Sequence, residues 1–266
     1  MKWRDWQGMT KYEAIFRRKS IRRYREAEVD EKILEEIRGF GKDALGDRPD
    51  IAVRWKIYRA SDRSVRGLFQ VKAPYYAALY SEICEDCYIH AGCLMQQLVL
   101  HLHTLGIGSC YQGGARLKDS REEGMELMMI LAFGWPAEPL ERRRADFKRA
   151  ELKKLVKVNG PLGRAQRKLL EPARLAPSAL NQQPWRFVVT ENRIHLFVRR
   201  PGIVGYDRQL NKNMFNAGIV LSHMLIAAEE HWIDLEYQKL DSIMEKAIQN
   251  HLYAGSLVFT GTVGKA

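Results

Sequence analysis

The sequence is poor in cysteine, with four in 266 residues, and so few without a secretory leader do not make a disulfide framework. It also lacks any apolar run near the roughly 20 residues that a spanning helix requires. Met1 to Gln7 mixes charges with tryptophan where a signal peptide would have an apolar core. The expectation is a soluble, untargeted, cytoplasmic protein with no membrane partner. Glycine (20) and proline (9) are too sparse for a linker or a collagen-like chain. Acidic residues are the scarcer charge, 32 against 43 basic, and the net charge of +11 favours anionic partners without choosing among phosphorylated cofactors, nucleic acid and acidic surfaces. What is present, 46% hydrophobic and 28% charged residues, is ordinary globular composition. The length suits one large domain or two closely packed ones.

Periodicity and punctuation outline the organisation. Asp30 is a good N-cap, and Ile33, Leu34, Ile37 and Phe40 recur at helical spacing, predicting a helix from about Asp30 to Phe40. Ile51 to Tyr58 reads as a strand. An amphipathic helix is expected from about Asp86 to Leu105, with Leu94, Leu98, Leu102 and Leu105 on one face. Leu127 to Phe133 is a further strand, stopped by Gly134-Trp135-Pro136. Lys153 to Gly163 reads as a hinge, and Leu162 to Leu175 as a helical pattern broken at Pro172. Arg186 to Val189 and Ile194 to Val198 pair as strands across Glu191-Asn192. A second long helix from about Lys212 to Glu230 and a strand from about Ser256 to Thr260 complete the chain.

The order helix, strand, long helix, strand thus occurs twice. A shift of 126 residues superposes Ala91-Gly92 on Ala217-Gly218, Ile107 on Ile233, Tyr111 on Tyr237, Leu131 on Leu257 and Phe133 on Phe259. We expect a duplicated α+β unit, with repeats over 1–152 and 153–266.

Three segments could carry chemistry. Ala176 to Trp185 places Ser178, Asn181 and Gln182 on a turn stiffened by Pro177 and Pro184, which suits recognition of a polar heterocycle edge. An ordinary turn entering a strand would look the same. Phe16 to Tyr24 surrounds Ser20 with five cations, as phosphate recognition requires, although a solvated basic face would also carry them. Leu105 to Gly114 is glycine-rich and would let backbone N–H groups approach a ligand. It follows a helix and is not a dinucleotide-binding fingerprint.

Together these segments resemble the FMN-dependent nitroreductase family. Arg18, Ser20 and Arg22 match its Arg-Arg-Ser-x-Arg type start. Ala176 to Trp185 matches Ala-Pro-Ser-x-x-Asn-x-Gln-Pro-Trp, and Gly106 to Tyr111 matches the Leu-Gly-Leu-Gly-Ser-Cys-Trp that follows the long helix. The order differs, because the Pro-Ser turn here comes after the glycine segment. Family members are interlocked homodimers whose flavins lie at the interface. The resemblance therefore implies an α+β nitroreductase-like fold in which two tandem repeats form one pseudo-twofold unit mimicking that homodimer, a monomer that could dimerise further. The first repeat has Gly41 to Asp47 where the Pro-Ser turn should be. The second has Lys153 to Val158 in place of the basic start and His231 to Asp234 in place of the glycine segment. One FMN per chain follows.

Carried over by position, the resemblance implies that Arg18, Lys19, Ser20 and Arg22 hold the phosphate and ribityl end. Pro177, Ser178, Ala179 and Asn181 would line the pyrimidine edge, and Gly113 would direct its N–H to N5. Arg142, Arg143 and Arg144 are further phosphate candidates, with Arg143 and Arg144 preferred. The sequence departs from the family pattern at Lys19, Ala179 and Tyr111. No protein acid or base is required, so no catalytic residue is expected. NADH or NADPH would be the co-substrate and an electron-poor nitroaromatic, quinone or enone the acceptor, with Phe69, Tyr75 and Tyr76 possible roof residues. The alternatives are a flavin-binding protein without turnover and a basic nucleic-acid-binding protein, although no zinc-finger, KH or RRM signature accompanies the charge. Cys84, Cys87, His90 and Cys93, three apart, would spread through about half a circle on a helix and could not all reach one metal. His101 and His103 face different sides of the same helix, so no metal is expected.

Overall fold

The computed structural model describes residues 8–260 except 42–43, 47, 63–64, 68–69, 119–121, 144–145, 159 and 241–247. The chain divides into two compact units, Met1–Phe147 and Lys148–Ala266.

In the first unit, helices α1 (Lys11–Arg17) and α2 (Glu31–Arg38) precede strands β1 (Val53–Arg59), β2 (Val65–Gly67) and β3 (Tyr75–Ser81). Helix α3 (Cys87–Thr104) and strands β4 (Gly108–Tyr111), β5 (Ala115–Leu117) and β6 (Glu126–Gly134) follow. The main sheet has the antiparallel order β1-β3-β6-β4, and β2 and β5 form a separate ribbon.

The sequence reading missed α1, although Thr10 and Glu13 form a reciprocal capping box there. It also missed β3, every residue of which is buried. A central strand covered on both faces shows an unbroken apolar run in place of alternation. Tyr76, Ala78 and Tyr80 pack on one face with Ile130, Ala132, Val65 and Leu117, while Tyr75 stacks on Phe133 at 5.5 Å. Of the two readings of Tyr75 and Tyr76, pocket roof or simple packing, the structure shows packing, since both are core; Phe69 lies outside the described residues. Helix α3 is likewise buried nearly all round, not amphipathic, because it is the central helix of its unit.

The second unit contains α4 (Leu152–Leu155), β7 (Val156–Val158), α5 (Arg164–Arg174), β8 (Trp185–Thr190) and β9 (Arg193–Arg199). It closes with α6 (Tyr206–Glu230), β10 (Leu235–Gln238) and β11 (His251–Phe259). The expected hinge at Lys153 to Gly163 is instead helix α4 and strand β7, which adds in parallel to the edge of β8. Helix α5 runs through Pro172 to Arg174, since a proline two residues from the end interrupts little of the ladder. The Pro172 carbonyl is bonded by Nδ1 of buried His223 on α6 at 2.8 Å. The β8–β9 hairpin turns at Glu191-Asn192 as expected, with Thr190 opposite Arg193.

Within this sheet the order is β10-β11-β9-β8-β7. Leaving β7 aside, its β8-β9-β11-β10 repeats the order β1-β3-β6-β4 of the first unit. In each unit the long helix lies between the second strand of that order and the short edge strand, and α3 and α6 end at Thr104 and Glu230. Among the described residues no helix is long and apolar enough to cross a membrane.

Candidate functional site

The basic segment of the first unit is built onto β4. Helix α1 ends at Arg18, whose N–H closes the last turn onto Ala14. The chain then runs beside β4, with the Ile21 N–H donating to the Ser109 carbonyl at 2.9 Å. An added Cβ on Gly108 would lie 2.7–2.9 Å from three carbons of Ile21. Gly106 and Gly108 were expected to admit a ligand to the backbone. Gly108 instead enters the β-ladder opposite Gly134, and what approaches it closely is Ile21.

Arg18 is 4% exposed, and its Nη2 donates to Ser20 Oγ at 3.3 Å. Burial holds its guanidinium below the usual arginine range, and Arg22 lowers it further. The Ser20 hydroxyl also meets the Cys110 thiol, which burial pushes up and Arg22 and Arg18 draw down. A third cation joins them from beyond β6. Arg142 is pushed down to about 10, first by burial and then by Arg18, with Asp146 opposing more weakly, and its guanidinium lies 3.5 Å above the Phe147 ring. Its Nε is buried without a hydrogen-bond partner. Among the described residues no carboxylate forms an ion pair with Arg18 or Arg142. A buried guanidinium costs several kcal/mol unless an anion meets it, so this cluster has the electrostatics of an anion site.

The other cations of the segment are engaged differently. Lys19 pairs with Glu138 at 3.6 Å, and the same carboxylate accepts the N–H groups of Arg22 and Arg23 at 2.7 and 3.2 Å. Those two bonds hold the Glu138 carboxyl below its ordinary range. Arg22 keeps its side chain exposed beside the cluster. Of the three arginines after β6, Arg142 faces Arg18, whereas Arg143 is solvent-exposed and pairs with Asp146 at 3.6 Å. Arg144 lies outside the described residues.

Gly113 stands at the end of β4, where Gln112 is fixed on three sides. The Gln112 N–H donates to Ile130 O at 2.8 Å, its Nε2 donates to Cys110 O and its Oε1 accepts from Val71 N at 2.9 Å. An added Cβ on Gly113 meets nothing within 4 Å. Tyr111 donates its buried hydroxyl to Gln96 Oε1 of α3 at 2.8 Å.

In the second unit, the turn from Pro177 to Gln183 is strained and tightly braced. Leu180, Asn181 and Gln183 have φ of 51°, 55° and 48°, a region that costs about 1 kcal/mol or more for leucine. Leu180 is 91% exposed. Pro177 is buried and Ala179 exposed. Ser178 Oγ accepts the Gln183 N–H at 2.9 Å, which leaves its O–H proton to give. The Asn181 amide, which the resemblance would set along the pyrimidine edge, makes bonds within its own unit. It donates to Lys148 O at 2.8 Å and accepts from Arg149 Nη1 at 2.6 Å. Arg149 also donates from Nε to Ala176 O at 3.1 Å, and Ala150 N–H donates to Gln183 Oε1 at 2.8 Å. The strap 148–150 therefore shapes the turn. Sequence reading missed Arg149, because its partners lie about 30 residues away with no local signature.

Comparison with known proteins identifies the family. A family model described as "Putative TM nitroreductase" matches residues 10–228. The chain belongs to this nitroreductase family, and its fold is the α+β nitroreductase fold. A Thermotoga maritima protein solved as a "putative nitroreductase" is similar over 95% of each chain, at 24% identity and a TM-score of 0.65. A Desulfovibrio desulfuricans protein, likewise described and crystallised in complex with FMN, is 17% identical over 59% of this chain and 100% of its own, with a TM-score of 0.45. No curated protein matches the sequence.

Proposed function

We propose that this protein is an FMN-dependent oxidoreductase whose flavin phosphate is held by Arg18, Ser20, Arg22 and Arg142, with Lys19 at its edge. The observation that carries the reading is buried Arg18 beside half-buried Arg142, neither of which has a carboxylate ion pair among the described residues, together with the orphaned, buried Arg142 Nε. A phosphate dianion supplies both the charge and the acceptors that this pair lacks. Arg142 is preferred here over exposed Arg143, with Arg144 a further candidate.

The tandem-repeat reading, with units 1–152 and 153–266 standing in for the subunits of a homodimer, is supported by the shared strand order of the two sheets. On that reading the first unit supplies the phosphate cluster and Gly113, and the second supplies Pro177, Ser178, Ala179 and Asn181 for the pyrimidine edge of one flavin. Ser178 retains a hydroxyl proton, and the turn presents backbone groups. Asn181 serves by holding the turn to Lys148 and Arg149, since both ends of its amide are engaged.

When bound, FMN supplies the hydride chemistry of an oxidoreductase, with NADH or NADPH as reductant and an electron-poor nitroaromatic, quinone or enone as acceptor. The chain's own contribution is to bind and orient, through the cation cluster around buried Arg18 in the first unit and the braced turn of the second. No side chain in either half is called on to move a proton.

The test is an FMN titration of the purified chain followed by anaerobic addition of NADH or NADPH. Saturation at one flavin per chain and bleaching by either nucleotide support the reading. Saturation at two overturns the tandem-repeat site, and no binding overturns the flavin assignment. Binding without bleaching overturns the reductase and leaves a flavin-binding protein without turnover.

A further inference from the structure

The cysteines at the start of α3 play no part in the proposed flavin site. Cys84 is exposed, Cys87 is buried, and both are free thiols. Between them Glu85 and Asp86 form a turn, and the Cys87 N–H donates to the Cys84 carbonyl at 3.4 Å. Such a turn brings the outer Cα atoms within about 7 Å of one another, which reaches the span of about 4.4–6.8 Å that a disulfide bridges. Cys87 is the first residue of α3, and Asp86 before it has φ 63° and makes no side-chain cap bond. The other thiols are placed elsewhere. Cys93 lies further along α3 with its Sγ on the Leu45 carbonyl at 3.6 Å, and Cys110 is on β4 beside Ser20.

We propose that Cys84 and Cys87 form a redox-active dithiol that is oxidised to an intramolecular disulfide by exchange with a neutral low-molecular-weight disulfide. Exposure fixes the order of events. The Cys84 thiolate attacks one sulfur of the small disulfide, forming a mixed disulfide and expelling the first small thiolate. Cys87 then loses its proton and attacks Cys84 Sγ, closing the protein disulfide and expelling the second small thiolate. Two protein thiols are oxidised, one small disulfide is reduced to two thiols, and the two protons lost by the protein are taken up by the leaving groups.

The choice of a neutral oxidant follows from the surrounding charge. Glu82 and Asp50 oppose ionisation at Cys84, as does Cys87, with burial the largest cause and Arg48 the only opposing one. Glu85 and Asp86 stand between the two thiols. An anionic disulfide is repelled there, and the thiolate fraction is small, so exchange is slow and quickens as pH rises.

The test treats the full-length chain with 2-hydroxyethyl disulfide under native conditions, with thiol titration and peptide mass mapping. The free-thiol count should fall from four to two, with Cys84 linked to Cys87. Cys87→Ser should stop at a mixed disulfide on Cys84, and Cys84→Ser should keep its remaining thiols. Wild-type protein that keeps all four thiols, or that halts at a stable adduct on Cys84, overturns the proposal. So does thiol loss at an unchanged rate in Cys84→Ser, which would place the first attack at Cys87, Cys93 or Cys110.

Discussion

Two glycines, Gly108 at the start of β4 and Gly113 two residues beyond its end, make a matched pair of perturbations. At Gly108 an added methyl lies 2.7 Å from Ile21 Cγ1, 2.8 Å from its Cβ and 2.9 Å from its Cγ2. The Cβ is present in every residue except glycine, so trimming the Ile21 side chain cannot relieve the contact. The backbone on one side must move. Strand β4 is held by its full ladder to β6, whereas the facing segment meets β4 itself through one backbone bond, Ile21 N to Ser109 O, its other ties, from Arg22 and Arg23 to Glu138, lying away from β4. The segment should yield. Overpacking costs about 1–3 kcal/mol and the lost bond about 1 kcal/mol, so Gly108→Ala should lose about 3 kcal/mol. That lowers Tm by roughly 6–12 °C for a unit of this size. Because Ile21 lies between Ser20 and Arg22, FMN affinity should fall at least about tenfold, or 1.4 kcal/mol. At Gly113 an added methyl meets nothing within 4 Å, so Gly113→Ala should hold stability within about 0.5 kcal/mol while weakening FMN, for which that space is reserved under the proposed reading. The assays are urea and thermal unfolding of the flavin-free protein and a fluorescence titration with FMN. If Gly108→Ala unfolds like wild type, or if both variants lose the same stability, the basic segment is not positioned by β4 as argued.

Arg18→Met should leave the flavin-free protein as stable as wild type or more so, because it removes a buried charge without a carboxylate partner. It should also weaken FMN by about 1.5–3 kcal/mol, the worth of a charge-assisted hydrogen bond; thermal melts with and without FMN separate the two. His103 is held down to about 3, chiefly by burial, with Arg18 and Arg17 adding to it. A depressed folded value means that its contribution is complete above the unfolded value of 6.5 and is lost as pH falls towards 3. Between pH 6.5 and pH 5 wild-type protein should therefore lose about 1.7 kcal/mol, and a His103→Met variant that loses as much over that range would refute the assignment. In the second unit, Asn181→Ala and Arg149→Met remove two sides of one contact at 2.6 Å. Their double mutant should be less destabilised than the sum by about 1 kcal/mol, and additivity would show that the strap does not brace the turn. Leu180→Asn should gain about 0.5–1 kcal/mol in urea unfolding, since Asn tolerates the left-handed region better than Leu and an exposed leucine gives up no packing.

How much of this was legible in the sequence depends on whether the signal was local. Asp30 announced α2, Glu191-Asn192 announced the β8–β9 turn, and leucines at helical spacing announced α3. Each rests on contacts within a few residues. Strand β3 was invisible because burial on both faces erases the alternation that marks a strand, and Tyr75 and Tyr76 then resembled pocket residues. The motif segments named residues, and the long-range contacts of those residues were not legible in them. In the glycine segment Gly108 admits Ile21, a side chain from 87 positions away. In the Pro-Ser turn, the Asn181 amide is spent on a strap from 148 and 149. Among the three arginines after β6, only burial distinguishes Arg142, which faces Arg18, from exposed Arg143. A motif records which residue types must converge, and the long-range contacts decide which atoms remain for a ligand. Under the proposed reading those atoms are guanidinium donors in the first unit and the Ser178 hydroxyl in the second. The strongest claim on a cofactor is therefore electrostatic and comes from the first unit, and it is the claim that Arg18→Met tests.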